Sequence, residues 1–345
     1  MVRGVGCAAV KGWRMGSRRV GRGLGAVGLA LALLVGMGGA AGAKPAGWRF
    51  EGTAGAEVAV PGGWSVNDYG CGMSGRPTVV RAEGMRNLCY TEEPADKEVA
   101  LIGYRADVEY SDQVEQLTGE PVVTKVSGVA AERLAKRLPD GRYAGRVRIP
   151  SRDLVLVVRT LSETRTRRIL DGFRLARTDA KGCPTESKRA KAGGVKGAKF
   201  VPAAPASVSL CYFAGGEYTD PEYVADLKKH GLKLAASHRL KGAKARALAT
   251  ALSKARPGPN KDAPKSQCAD GVRPVVPDLA LIFRDKAGKR LGTVFATFQS
   301  CKGRRLDNGK RKAKVTEKLL FLMMDPLKVG YSWSALPAAK SGGQG

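Results

Sequence analysis

No acidic residue precedes Glu51, and within that stretch a basic segment gives way to a long uncharged one. Arg3, Lys11, Arg14, Arg18, Arg19 and Arg22 come first. Gly23 to Ala43 follows, with its apolar heart at Leu24 to Met37 and small residues, Ala41-Gly42-Ala43, just before Lys44. A positive region, an apolar region and a small-residue cleavage point, in that order, form a signal peptide, expected to span 1–43 and to be cut after Ala43. The competing arrangement is an uncleaved single-pass membrane anchor, since about 20 apolar residues span a bilayer. Seven glycines between Gly23 and Ala43 disfavour a stable helix there. In both arrangements the positive charge stays inside and every residue after 43 faces out. Arg18-Arg19 after Ser17 matches a twin-arginine signal, although Gly21 stands where that signal carries a large apolar residue. Met15 would start an equally complete signal, and the absence of a cysteine at the cleavage point disfavours a lipid anchor.

Export determines how the cysteines are read. Cys7 leaves with the signal, and Cys71, Cys89, Cys183, Cys211, Cys268 and Cys301 remain. An even set in an extracellular or cell-envelope chain implies disulfide bonds. There is no C-x-x-C pair, and His230 and His238 are the only histidines, so a zinc site is not expected and no cofactor is implied. If the two halves of the chain fold separately, Cys71 pairs with Cys89. The other four allow three connectivities, of which nearest order favours Cys183–Cys211 and Cys268–Cys301.

A chain of 345 residues suggests two modules. The charge divides them near residue 179. Residues 44–178 carry 21 Lys and Arg against 18 Asp and Glu, whereas residues 179–345 carry 32 against 13. The expected organisation is a β-rich module over 44–178 closed by a helix, a Lys/Gly/Ala/Pro-rich linker over 179–206, a basic disulfide-containing α+β module over 207–325, and a loose tail over 326–345. The fold class is therefore α+β, each module carrying one or two packed helices.

Apolar alternation places strands at Glu57 to Val60, Pro77 to Arg81, Glu98 to Tyr104, Val122 to Val126, Val129 to Leu138 and Tyr143 to Ile149. The Leu/Val run from Asp153 to Arg159 reads as a central strand buried on both faces. A helix from Leu161 to Asp171 is expected to start with a capping box of Thr160 and Glu163 and to stop at Gly172. In the second module, strands are expected at Ser207 to Ala214, Gly231 to Leu240, Leu279 to Arg284 and Leu291 to Gln299. Ala245, Leu248, Ala249 and Leu252 recur at helical spacing within Ala243 to Ala255. A Pro-rich loop covers Arg256 to Lys265, and a short helix covers Thr316 to Met324.

Ile169 to Leu175 followed by Gly182-Cys183-Pro184, then Ser209-Leu210-Cys211-Tyr212 and a strand ending in Ser300-Cys301, resemble uncharacterised secreted proteins of high-GC Gram-positive bacteria. That resemblance spans most of the chain and implies a two-module architecture and export, with no mechanism attached. The helix Arg168 to Leu175 is also similar to that of the Mog1/PsbP-like α/β sandwich, a binding fold.

Catalytic chemistry finds no footing. His238 follows Ser237, but no G-x-S-x-G elbow exists, so a hydrolase triad is not supported. Glu92-Glu93, or Asp107 with Glu109, read as solvated carboxylates rather than an acid–base pair. Trp48, Trp64 and Trp333 read as packing residues before a carbohydrate platform, Trp64 being the best candidate for the latter. The distinctive feature is basic: Lys302, Arg304, Arg305, Lys310, Arg311, Lys312 and Lys314 stand against a single acid, Asp307. Such a run attracts polyanions. With no aromatic residue between 299 and 320, sequence-specific nucleic-acid recognition is not expected. The expected function is non-enzymatic binding of an anionic cell-envelope polymer or a protein partner. The alternative is a secreted protease inhibitor that presents the Pro-rich segment 256–265.

Overall fold

Short apolar runs broken by glycine and proline turns build a strand-dominated chain, here given by a computed structural model. The structure describes residues 46–70, 72–81, 93–108, 117–190, 199–214, 229, 231–262, 279–298 and 303–329. The first half contains β1 (Trp48–Thr53), β2 (Ala56–Pro61), β3 (Ser65–Val66), β4 (Thr78–Arg81), β5 (Val99–Tyr104) and a single helical turn α1 (Arg105–Val108). It continues through β6 (Val122–Val126), β7 (Val129–Arg137), β8 (Tyr143–Ile149), β9 (Leu154–Thr160), α2 (Glu163–Asp171) and β10 (Arg174–Leu175). The second half contains β11 (Ser207–Ala214), β12 (Lys233–Lys241), α3 (Gly242–Ser253), β13 (Leu279–Arg284), β14 (Arg290–Thr297), β15 (Arg305–Asp307), β16 (Lys312–Ala313) and α4 (Glu317–Met324). The fold is α+β.

Seven strands of the first half form one sheet in the order β3-β4-β5-β9-β8-β7-β6, and β1-β2-β10 form a second, antiparallel one. β9 lies at the centre of the larger sheet, and every residue in it is buried. The pleat sends alternate side chains to opposite faces. Leu154, Leu156 and Val158 meet Val58 and Val60 of β2 and Ile169 and Leu170 of α2. Val155 and Val157 meet Val80, Val99 and Leu101 on the other face. The unbroken Leu154–Val158 run is stable here because both faces of the strand are covered.

The α2 start differs from the expected capping box. Ser162 is the N-cap, its hydroxyl accepting from the Arg165 N–H, and the helix begins at Glu163. Thr160 is still held opposite Tyr143 as the last residue of β9, so the chain cannot turn helical there. Its hydroxyl instead donates to the Ser162 carbonyl at 2.7 Å.

The second half forms an antiparallel six-stranded sheet in the order β12-β11-β13-β14-β15-β16. Val208, Leu210 and Tyr212 of β11 face Ala245, Leu248, Ala249 and Leu252 of α3 and the buried side of α4. The helical stripe read from the sequence is thus the packed face. The opposite face carries Cys211, Phe213, Ala280 and Ile282, covered by Cys183, Ala190 and Leu232. Cys183 and Ala190 come from the stretch joining the halves, where a disulfide ties Cys183 to Cys211, and Leu232 precedes β12. Cys71, Cys89, Cys268 and Cys301 lie outside the described residues. Residues 179–190 and 199–206 of that stretch also make specific contacts. Ser187 donates its N–H to the Leu232 carbonyl, Ala206 donates to that of Arg284, and Val201 is buried in the helix-side core.

Hydrogen bonds cross between the halves. Ala54 N–H donates to the Leu234 carbonyl at 2.7 Å. Asn67, held at a φ of 55°, accepts from the Arg81 N–H at 2.8 Å and donates its side-chain amide to the Lys328 carbonyl at 2.6 Å. The buried Arg81 guanidinium reaches across to the carbonyls of Ser237, at 3.3 Å, and Leu327.

Candidate functional site

The basic run forms a β-hairpin, β15 pairing antiparallel with β16. Leu306 of β15 pairs with Ala313 of β16, and both side chains are buried, so two apolar anchors pin an otherwise charged segment to the sheet edge. Asn308 closes the turn by accepting from the N–H groups of Lys310 and Arg311 at 3.0 and 2.8 Å. The Pro-rich segment is laid along the same edge. Gly258 N–H donates to the Lys312 carbonyl and Lys314 N–H to that of Arg256. The Asn260 side chain bonds both the carbonyl and the N–H of Val315, at 2.8 and 2.9 Å.

These elements, with α3 and residues 199–203, enclose an open groove of about 1130 Å³. The lining carries Lys310, Arg311 and Lys312, all exposed, and Lys199 adds a fourth cation from residues 199–203. None of the four forms an ion pair with another described residue. The lining's single carboxylate, Asp307, pairs with Arg305 at 3.2 Å. The remaining wall is apolar or hydroxylic: Phe200, Pro202, Ala249, Thr250, Ser253, Pro257 and Pro259. Asn308 also donates to the Phe200 carbonyl at 2.9 Å, which brings a residue more than a hundred positions away into the groove.

The seven cations of the run separate into groups. Lys310, Arg311 and Lys312 line the groove. Lys314 is half-buried beyond it. Arg304 is buried, its guanidinium directed toward the Lys261 carbonyl, and that burial pushes its pKa down. Arg305 is engaged by Asp307, and Lys302 lies outside the described residues. Lys199, Phe200, Thr250 and Ser253 escape sequence reading because nothing local links them to the hairpin.

A second charged constellation lies at the junction of the halves. Glu51 of β1 sits 2.8 Å from Arg49, 3.4 Å from Lys181 and 3.8 Å from Arg81. Burial alone would raise its carboxyl, but Arg81, Lys181 and Arg49 together hold it below the ordinary value. Burial raises Asp179, despite hydrogen bonds from the Ser237 side chain and the Cys183 N–H. Burial, reinforced by Lys181, lowers His238. Ser237 is only 3 % exposed and is engaged with Asp179, so it offers no accessible nucleophile. Neither described cavity is lined by these residues. The constellation joins the two halves.

Trp64 is buried in the first-half core, and Trp48 is covered by the Arg168 guanidinium 4.6 Å from its ring. His230, Glu92, Glu109 and Trp333 lie outside the described residues. Among the described residues, no cluster of His, Cys, Asp and Glu could hold a metal, and no helix is long and apolar enough to cross a membrane. The Cys183–Cys211 disulfide is compatible with an extracellular location. No family model, curated protein or solved structure matches the chain.

Proposed function

We propose that this is an exported, non-enzymatic binding protein whose second half engages an anionic polymer of the cell envelope through the groove beside the β15–β16 hairpin. The observation that carries the reading is the concentration, on one open surface, of positive charge that forms no ion pair with another described residue. Lys199, Lys310, Arg311 and Lys312 face a groove whose one carboxylate is already neutralised by Arg305. Cations held together on a rigid sheet edge raise the local concentration of a polyanion and speed its capture. The export signal and the disulfide support an extracellular setting for that encounter. A presented inhibitor loop is less well supported, because Arg256, Gly258 and Asn260 are bonded to the hairpin and form its neighbour.

The test replaces Lys310, Arg311 and Lys312 with glutamate in the mature chain and measures binding to heparin. These side chains are exposed, so the fold should tolerate the change within about 0.5 kcal/mol. The expected outcome is a loss of affinity of at least tenfold with an unchanged circular dichroism spectrum. Undiminished binding by the charge-reversed protein would remove the groove from the account.

A further inference from the structure

The groove is more than a positive patch, and its composition selects among polyanions. We infer that its ligand is an anionic glycan, a chain whose repeat carries both a negative charge and a sugar ring, with the ring seated against Phe200. This inference rests on the proposed polyanion reading and adds the chemistry of the uncharged part of the ligand.

Three features support it. The first is size: at about 1130 Å³ the groove slightly exceeds the roughly 300–1,000 Å³ that accommodates a single drug-sized molecule, and it is open, as a segment of a chain requires. The second is the apolar part of the lining. Phe200 is half-buried and faces the groove together with Pro202, Pro257 and Pro259. The negative face of an aromatic ring attracts the weakly positive C–H groups of a sugar, and proline rings extend that apolar platform. A purely inorganic polyanion would gain nothing from such a wall. The third is hydrogen bonding. The Thr250 hydroxyl makes no bond to another described residue, and the Ser253 hydroxyl donates to the Thr250 carbonyl, so both oxygens remain open to accept from ligand hydroxyls. Single-stranded nucleic acid is served less well, because successive bases stack on several aromatic side chains and this wall supplies one.

The experiment compares two probes of matched charge, heparin and inorganic polyphosphate, on the mature protein and on Phe200→Leu and Phe200→Trp variants. Leucine keeps the apolar bulk that packs against the core and removes the ring. The expected result is a roughly fivefold loss for heparin with Phe200→Leu, little change for polyphosphate, and retained heparin binding with Phe200→Trp. Equal losses for both probes, or no loss for either, would overturn the assignment. So would a single-stranded oligothymidylate that binds more tightly than heparin and responds more strongly to Phe200→Leu. The underlying reading fails separately: it fails when heparin binds the Lys310, Arg311, Lys312 charge reversal as well as the native chain, whatever Phe200 does.

Discussion

Arg81 enters the interior from β4 with its side chain 2 % exposed, held by an ion pair to Glu51 of the first half and by the carbonyls of Ser237 and Leu327 in the second. Burial lowers its pKa, while Glu51 and Asp179 favour the charged form. The groups around it respond to pH with different signs. Glu51 is depressed, so its contribution is present above 4.5 and is lost as pH falls through its folded value. Asp179 is raised, so its contribution is held in acid and lost as pH climbs above 3.8 toward its folded value. His238 is a base with a depressed pKa. Its unfolded form takes up a proton below 6.5 while the folded form stays neutral, and stability falls with pH in that window. Replacing His238 with glutamine removes this titration and keeps a neutral polar side chain. Urea unfolding at pH 7.5 and at pH 5.5 should show a smaller acid-induced loss for His238→Gln than for the native protein. Equal losses would mean that His238 binds its proton equally well in the folded and unfolded states, against the depressed folded value.

Elements were legible in the sequence to the extent that burial wrote a pattern into them. β9 opens with an unbroken Leu and Val run, Leu154 to Val158, because both of its faces are covered, and α3 shows its packed stripe at helical spacing. The hairpin was hidden for the opposite reason. β15 and β16 have three and two residues, and their apolar content inside the strands is Leu306 and Ala313, too few to show alternation. The groove was only half legible, since the hairpin supplied its cations as a visible run while Lys199 and Phe200 arrive through a side-chain bond from Asn308. The segment 179–206 reads from composition as linker, and the contacts of its described residues depend on partners distant in sequence. Glu186 pairs with Lys233, and Cys183 reaches Cys211 across a separation of 28 residues. In the chain-entropy account, opening a loop of that length costs about 3–4 kcal/mol. The double replacement of Cys183 and Cys211 by alanine should therefore lower urea stability by about that amount. A loss under about 1 kcal/mol would show that the β11–β12 face is held by packing alone.

At the scale of the whole molecule, charge is distributed by role. The first half is nearly balanced, and most of its described ion pairs, such as Arg174 with Glu57 and Arg165 with Glu98, are internal, Glu51 with Lys181 crossing to the second half. The second half holds most of the positive excess and exposes part of it on the groove at the sheet edge. Unsatisfied charge of one sign opposes folding, so its persistence on one surface is what a binding role would require. Salt dependence tests that role most directly. Each anionic group neutralised releases condensed counterions, giving a slope of roughly −0.7 to −0.9 per contact in a plot of log affinity against log salt. The mature protein binding heparin should show a slope of about −3 to −4 if the four groove cations are engaged. Reversing Lys310, Arg311 and Lys312 should bring it to about −1 or shallower. Binding indifferent to salt, or a slope unchanged by the reversal, would contradict the account.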